Sequence, residues 1–263
     1  MPRPNTFIAT VAAASVAVLS AGALFAQQSS PHRAYSATAV HGIAGQPTTS
    51  GTVTKSGQNM RLEFEQNGRK VVQILLPEQG VMYVLDPQTK TYMEMRGQAV
   101  PPTTGRSPAA PCDPAQMAQC EKVGSDVVSG IGVERWLLVA QPQTPPVTIL
   151  WDPTRRHALR QEYPDGSVTA MRFVEMETLN GRATEHWNLE IQAPGRDTLT
   201  GGWWYDPDLR VVVREDLPGG EIRRLENISV GAIDPSAFQV PEGWQRRDPT
   251  ALSAPQPPKP ASD

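Results

Sequence analysis

Apolar and polar residues alternate along several short stretches of the chain, and this alternation predicts β-strands. In the stretch NMRLEFEQ the apolar Met60, Leu62 and Phe64 are separated by charged residues, which is the period-two pattern of a strand with one buried face. The dipeptide Asn67-Gly68 follows, and it is typical of tight hairpin turns. After a polar start, the sequence therefore predicts an N-terminal meander of short antiparallel strands over residues 51–95.

The second half of the chain repeats one strand pattern. The stretch ILWDPTRR, which contains Asp152, recurs as WWYDPDLR, which contains Asp206. Asp-Pro favours the start of a turn, because proline presets its own backbone angle and aspartate accepts hydrogen bonds from nearby backbone N–H groups. The repeat predicts two β-meander units, residues 127–178 and 179–230, and a fainter third copy of the turn stands at Asp86-Pro87.

Several predicted strands are apolar on both faces, notably VMYVL at 81–85 and WWY at 203–205. Neighbouring side chains of a strand point to opposite faces, so both faces of the sheet must be at least partly covered. The sheet either curls over a packed interior or forms an open, curved shell whose inner face holds an apolar guest. The pattern does not decide which face points inward. The residues expected to line such a shell are Met60, Leu62, Phe64, Met82, Val84, Trp151, Trp203 and Trp204.

The N-terminus is typical of an exported protein. Residues 1–26 contain Arg3, an apolar run and a small-residue end, which is the order of a secretory signal peptide rather than of a membrane anchor. We therefore expect a periplasmic protein with one domain over residues 27–248, not integrated in the membrane after cleavage. The last residues, 249–263, are rich in proline and predict a disordered tail.

The segment 98–122 combines a Pro-rich loop with the best helix signal of the mature chain and both cysteines. Asp113 is placed to cap a helix and Pro114 to occupy its first position, so the stretch DPAQMAQCEKV predicts one short helix. Cys112 and Cys120 are the only cysteines. In an exported chain they favour a disulfide, while the alternatives, a metal pair and a redox pair, lack the C-x-x-C spacing.

Charge and motifs exclude several classes of function. The net charge is −3, without the basic excess expected of a nucleic-acid binder. The sequence contains no HExxH, G-x-S-x-G, P-loop or G-x-G-x-x-G motif, so we expect neither a metal nor a cofactor. Asp152 and Asp206 could be interpreted as a carboxylate pair of the kind that hydrolases use. Each of them begins a turn, however, and the turn already explains why the aspartate is repeated.

The repeated arginines have two readings. Arg156, Arg160, Arg210 and Arg214 stand near acidic residues in the two meander units. The simplest interpretation is a set of cross-strand charge pairs on the solvent side of the sheet. The alternative is a site for an anionic headgroup.

Two features of the chain carry a resemblance to a known family. One is the opening meander from SGTVTKSGQNMRLEF to TKTYMEM. The other is an ordered series of positions: Cys112, Cys120, Val123-Gly124, Gly130, Glu134-x-Trp136, the Asp-Pro turn and FQVPEGW. Over roughly residues 35–247 the chain resembles exported bacterial proteins of unknown function whose fold is similar to the periplasmic lipoprotein carriers and receptors of the LolA/LolB type.

The resemblance implies a mainly β fold: a strongly curved antiparallel sheet, or incomplete β-barrel, around an apolar concavity for acyl chains. We therefore expect a non-enzymatic envelope protein that binds a lipid, an acyl chain or a lipoprotein in that concavity. The alternative is an envelope sensor or scaffold that binds another protein through the same sheet.

Overall fold

The computed structural model describes residues 33–97, 110–114 and 116–247. Within these residues the chain forms β-strands and the 3-10 helices Pro77–Gln79 and Pro235–Phe238, with no α-helix. The predicted signal peptide and C-terminal tail lie outside the described residues. The strands are β1 Tyr35–Ile43, β2 Thr49–Ser56, β3 Asn59–Gln66, β4 Arg69–Leu76, β5 Val81–Asp86, β6 Thr91–Arg96, β7 Gln119–Val128, β8 Ile131–Val139, β9 Val147–Asp152, β10 His157–Glu162, β11 Val168–Leu179, β12 Arg182–Gln192, β13 Leu199–Asp206, β14 Val211–Leu217, β15 Glu221–Val230 and β16 Gln245–Arg246.

These strands form one sheet of 16 strands in the order β16-β6-β5-β4-β3-β2-β1-β15-β14-β13-β12-β11-β10-β9-β8-β7. Neighbouring strands are antiparallel except for β16, which pairs parallel to β6. The sheet is curved and does not close. The predicted fold class, a mainly β protein with a strongly curved, incomplete antiparallel barrel and an internal meander repeat, is thereby confirmed.

Strand β1 joins the two halves of the sheet. It pairs with β2 on one side and with β15 on the other, so that Ala39 lies opposite both Gly51 and Leu225. The N-terminal meander β2–β6 and the C-terminal meander β7–β15 thus become one continuous surface. The sequence of this region predicts only a polar start, because its alternating residues, such as Ala37 and Ala39, are small and give a weak apolar signal.

The curvature brings distant strands into contact. His157 of β10 stacks on Trp203 of β13, with ring centroids 4.7 Å apart, although two other strands separate them in the sheet. On a flat sheet, strands three steps apart lie roughly 14 Å from each other, since each step is about 4.8 Å. We call the face that carries these two rings the inner face.

The inner face is packed in two clusters. The first joins both halves, with Tyr35, Met60 and Met82 buried against Leu209 from the turn between β13 and β14. The second gathers residues of β8 to β13, among them Trp187 and Trp203. The expectation of a self-packed interior therefore holds for part of the inner face.

Two non-strand segments cover parts of the outer face. Residues 231–247 place Ile233, Phe238 and Trp244 against β4 and β5, and the Arg61 guanidinium donates to the carbonyl of Ala237 at 3.0 Å. At the other half, Cys112 and Met117 pack against Leu138, Ile149 and Trp151 of β8 and β9. These covers explain why the strands beneath them are apolar on both faces.

The cysteines form the predicted disulfide, but the predicted helix beside them is wrong. Cys112 and Cys120 are bonded, with their Cα atoms 6.0 Å apart. Pro114 and Gln116 lie in turns, and the chain enters β7 at Gln119. Cys120 lies opposite Leu138, so strand pairing and the bond to Cys112 prevail over the capping signals of Asp113 and Pro114.

The Asp-Pro turn occurs in three copies with the same hydrogen bonds. The Oδ1 atom of Asp152 accepts from the backbone N–H groups of Thr154 and Arg155. The Oδ1 atom of Asp206 accepts from the N–H groups of Asp208 and Leu209. The Oδ1 atom of Asp86 accepts from those of Gln88 and Thr89. The fifth residue of every copy, Lys90, Arg156 or Arg210, has a left-handed backbone, with φ of 50°, 53° and 54° respectively.

The two C-terminal copies are buried more deeply than the first. Asp152 and Asp206 are 1% and 0% exposed, and each carboxylate also forms an ion pair, with Arg155 and Arg182 respectively. Asp86 is half-buried. Its Oδ1 atom accepts the two hydrogen bonds of the turn. A substitution at Asp86 therefore measures how much these hydrogen bonds contribute to the free energy of unfolding.

We expect Asp206→Ala to lower the free energy of unfolding by about 2 to 3 kcal/mol, because it removes the turn hydrogen bonds together with the ion pair between a fully buried carboxylate and Arg182, which keeps Asp208 as a partner. Asp86→Ala should cost only about 1 kcal/mol, the value of the turn hydrogen bonds. Urea unfolding followed by circular dichroism measures both. Equal losses for the two variants would contradict the assignment of a structural ion pair to Asp206.

A second prediction concerns His157, whose pKa burial lowers to about 4. An unfolded histidine takes up a proton near pH 6.5, so between these values the unfolded state binds more protons and stability falls as the pH falls. His157→Phe retains a ring against Trp203 and should remove about 2 to 3 kcal/mol of the loss in stability between about pH 7.5 and pH 4.5. Urea unfolding at both pH values tests this, and an unchanged loss in the variant would refute it.

Candidate ligand cavity

A cavity of about 910 Å³ opens on the inner face where the two halves of the sheet meet. Its walls come from β1, β2 and β3 on one side and from β14 and β15 on the other, together with the Asp-Pro turns that follow β9 and β13. The cavity therefore lies along the β1–β15 pairing.

The floor of the cavity is apolar because strand register aligns alternate residues of β3 with those of β1 and β15. Met60, Leu62 and Phe64 point to one face of β3 and line the cavity. Leu225, opposite Ala39 in the ladder, continues this floor across the join. Leu62, Phe64 and Leu225 are only half-buried, whereas Met60 is 4% exposed and also belongs to the first packed cluster.

Phe64 lies close to Gly51, its partner on β2. A Cβ atom added at Gly51 would come within 2.5 Å of the Glu63 carbonyl oxygen and 3.1 Å of the Phe64 Cβ. The glycine therefore permits the close approach of β2 and β3 at this end of the floor. A larger residue at this position would push the two strands apart.

One end of the cavity is formed by the two C-terminal Asp-Pro turns. Arg156 and Arg210, the left-handed residues of these turns, both line it. An Arg210 Nη2 atom donates to the carbonyl of Thr154 at 3.0 Å, which ties one turn to the other. Tyr205 lies beside them, and burial raises the pKa of its hydroxyl while the Arg210 guanidinium opposes that rise.

Arg155, next to Arg156, is held by a buried network instead. Its guanidinium donates to Asp152 at 2.6 Å and to both carboxylate oxygens of Glu185 at 2.6 and 2.9 Å. These hydrogen bonds raise the pKa of Arg155. Glu185 also accepts from the Trp187 indole at 3.1 Å, and the repeat reproduces this contact, since Glu134 accepts from Trp136 at 3.0 Å.

The opposite end of the cavity carries charges of both signs that pair with one another. Arg223 lies 2.7 Å from Glu221 and 3.6 Å from Glu215, and His41 lies 3.1 Å from Glu221. The Arg223 hydrogen bond lowers the pKa of Glu221. Burial raises the pKa of Glu215, which sits deeper on the same face.

The eight residues expected to line a shell lie in different parts of the structure, and only some of them line the cavity. Met60, Leu62 and Phe64 line the cavity. Met82 and Val84 lie in the first packed cluster on the same face. Trp151 packs on the outer face beneath the disulfide loop. Both tryptophans of β13 lie outside the cavity lining.

Trp203 and Trp204 face opposite sides of the sheet, as the sequence predicted. Trp203 lies in the inner core between His157 and Tyr205, at centroid distances of 4.7 and 5.5 Å. Trp204 lies on the outer face, stacked on His186 at 4.4 Å with the Arg214 guanidinium 4.6 Å from its ring centroid. The indole of Trp204 donates to Glu177.

The expected cross-strand pairing of the repeated arginines is wrong. Arg160 pairs with Glu162 at 2.6 Å and Arg214 pairs with Asp216 at 2.5 Å, in each case two residues along the same strand. Residues two apart on a strand share a face, so these pairs need no neighbouring strand. Arg156 and Arg210 lie in turns and line the same cavity, which the sequence pattern does not predict.

One group of potential metal ligands lies on the outer face, away from the cavity. Glu175, Glu177 and His186 place one ligand atom each within 4.8 Å of one another. Glu177 already accepts from Trp204. Its second oxygen lies 3.9 Å from His186 Nδ1, and His186 stacks on Trp204, so these two residues support the outer tryptophan.

Comparison with known proteins gives distant structural similarities. No protein-family model matches the chain, and a search of curated proteins also found no match. Among described residues, no helix has the length and apolarity needed to cross a bilayer.

Three solved structures share parts of the architecture. A DUF1329 family protein from Desulfovibrio piger is 12% identical with a TM-score of 0.36, and the alignment covers 80% of this chain and 91% of that one. A LolA superfamily protein from Nitrosomonas europaea is 9% identical with a TM-score of 0.38, over 80% and 91% of the two chains. PNGF-II is 8% identical with a TM-score of 0.31, over 84% of this chain and 32% of its own. All three likenesses are distant, and none assigns an activity to this chain.

Proposed function

We propose that this protein is an exported binding protein that holds a hydrophobic molecule, or the lipid part of a partner, in the cavity between its two meanders. The observation that carries the proposal is an apolar floor that the protein's own side chains leave half-covered. Leu62, Phe64 and Leu225 remain half-buried there, beside neighbours such as Leu75 that are 2% exposed.

Energetics support a guest at this position. Fully burying a large apolar side chain stabilises a protein by about 1.5 to 3 kcal/mol, so a floor left in contact with water forfeits stability that a bound chain would restore. The volume of about 910 Å³ falls within the range of roughly 300 to 1,000 Å³ typical of small-molecule sites. The disulfide fits a protein that works outside the cytoplasm.

A hydrolytic role for the repeated aspartates has little support. Each Oδ1 atom is occupied by two backbone N–H groups, and each Oδ2 atom by an arginine. Asp152 and Asp206 therefore act as turn and ion-pair residues. We accordingly propose a binding protein rather than an enzyme.

The direct experiment is to purify the mature protein from its native envelope and to extract it with organic solvent for mass spectrometry. We expect a co-purifying hydrophobic compound at a stoichiometric amount. The same protein, stripped of lipid, should bind a fluorescent fatty-acid analogue. An empty protein that also fails to bind this analogue would overturn the proposal.

A substitution in the floor tests the location. Leu62→Gln places an amide without a partner beside the bound chain, and we expect it to weaken binding of the fluorescent analogue about tenfold, since burying such a group costs about 1 to 3 kcal/mol. Leu199→Gln makes the same change at a residue that is 52% exposed and lies outside the cavity lining, so it should change the affinity less than twofold by the same argument. Equal effects of the two variants would place the binding site elsewhere.

A further inference from the structure

A bulge in β11 places two neighbouring carboxylates on the outer face of the sheet. The pairing of β11 with β12 shifts between Phe173 and Glu175, so that Val174 is the extra residue and Glu175 lies opposite His186. Residues directly opposite one another share a face, and Glu177 shares it too because side chains alternate along a strand. Without the shift, Val174 would lie opposite His186 and both glutamates would point to the inner face.

The two carboxylates lie beside the imidazole of His186. Glu175, Glu177 and His186 each offer one ligand atom, and these atoms all lie within 4.8 Å of one another. The His186 Nδ1 atom is 3.9 Å from the Glu177 carboxylate. Zinc holds nitrogen and oxygen ligands at about 2.0 to 2.2 Å, so the ligand atoms around one ion are roughly 3.4 Å apart. Glu175 is exposed, and a rotation of its side chain can close the remaining distance.

The two glutamates lack the basic partner that a neighbouring carboxylate has. On the same face Asp216 forms an ion pair with Arg214. Within the part of the chain that the structure describes, no lysine or arginine nitrogen lies within 4.0 Å of the carboxylate of Glu175 or Glu177. Arg214 attracts Glu177 without forming an ion pair with it, since its guanidinium donates to Asp216. Two negative charges therefore stand side by side at His186, an arrangement that a bound cation would stabilise.

Trp204 holds two of the three groups in position. Its indole N–H donates to the Oε1 atom of Glu177, and the Oε2 atom of Glu177 faces His186. The His186 ring stacks on the Trp204 ring, with centroids 4.4 Å apart and 9° between the ring planes. Metal sites in proteins commonly orient their ligands through such contacts from surrounding residues. Two of the candidate ligands are thus held before any ion arrives.

We propose that Glu175, Glu177 and His186 bind a divalent transition-metal ion, Zn²⁺, on the outer face of the sheet. Imidazole nitrogen and carboxylate oxygen are both ordinary ligands of zinc, and a water molecule completes the four-coordinate site. The site is separate from the ligand cavity and does not depend on the proposed function. The sequence motifs predict no metal here, because the ligands come from two strands and are aligned by a bulge.

The experiment titrates Zn²⁺ alone into the untagged mature protein, after a chelator has removed bound metal, and follows binding by isothermal calorimetry. We expect one ion per chain. Glu175→Gln changes an exposed ligand and should weaken binding about tenfold or more, the scale seen when groups of a metal site are replaced. His186→Phe keeps an aromatic ring against Trp204 but removes the ligand nitrogen, and it should abolish binding at the site.

Glu190→Gln is the matched control. Glu190 lies on the same strand and face as His186, four residues further along, and it pairs with Arg172 at 3.5 Å. Its substitution removes the same charge as Glu175→Gln but no proposed ligand, so the affinity for Zn²⁺ should change by less than about twofold. Circular dichroism of the metal-free proteins establishes that all three variants are folded.

Urea unfolding gives a second readout. The proposed ligands come together only when β11 and β12 are paired, so Zn²⁺ should bind the folded chain in preference to the unfolded chain. Saturating Zn²⁺ should therefore raise the urea midpoint of the unsubstituted protein and of Glu190→Gln. The midpoint of His186→Phe should stay unchanged.

Three outcomes would overturn the inference. If the metal-free protein takes up no Zn²⁺, the three residues do not form a metal site. If Glu190→Gln weakens binding as much as Glu175→Gln, the ion responds to the general negative charge of this face and not to these ligands. If Zn²⁺ binds equally well to His186→Phe and to the unsubstituted protein, the site lies elsewhere in the chain.

Discussion

The backbone pairing of β1 with β15 is the interaction on which the rest of this structure depends. Without it the chain would form two separate meanders, each with exposed strand edges and a half-covered apolar face. The pairing runs from Tyr35 to Ile43 along almost the whole of β15. It brings Tyr35 and Met60 of one half against Leu209 of the other, and it leaves the cavity along the same line.

Each half of the sheet manages its outer face in its own way. The N-terminal meander is covered by the last described segment of the chain, through Phe238 and Trp244, and the C-terminal meander by the disulfide loop. These covers remove apolar outer residues from water, and on the inner face the region of Leu62 and Leu225 stays incompletely covered. The inner face is therefore neither fully packed nor fully hollow. The region of Met60 and Met82 is packed, and the region of Leu62 and Leu225 is open.

The duplication serves both stability and the candidate site. In each C-terminal copy the aspartate organises the turn and binds an arginine, and in each copy a tryptophan two residues after a glutamate donates to that glutamate. These contacts are internal to the repeat or link its copies. Arg156 and Arg210 occupy equivalent positions of two such turns and line one shared cavity.

Long-range contacts override several local signals of the sequence. The capping signals at Asp113 and Pro114 are local, and they were outweighed by the pairing of Cys120 with β8 and its bond to Cys112. The alternation of β1 was weak, because a strand supported by ladders on both sides does not need large apolar side chains. Cross-strand pairing was expected for Arg160 and Arg214, although carboxylates two residues away on the same strand were nearer.

The sequence by itself determined the strands with strong alternation, the Asn67-Gly68 hairpin, the Asp-Pro turns, the disulfide and the opposed directions of Trp203 and Trp204. These features depend on backbone preferences and on residues close together in the chain. Only the tertiary structure decided that the inner face carries Leu62 and Leu225, that β1 joins the halves, and that Arg156 and Arg210 line one cavity. Those outcomes depend on sheet curvature and on pairings between distant segments, which local patterns of apolar and polar residues do not encode.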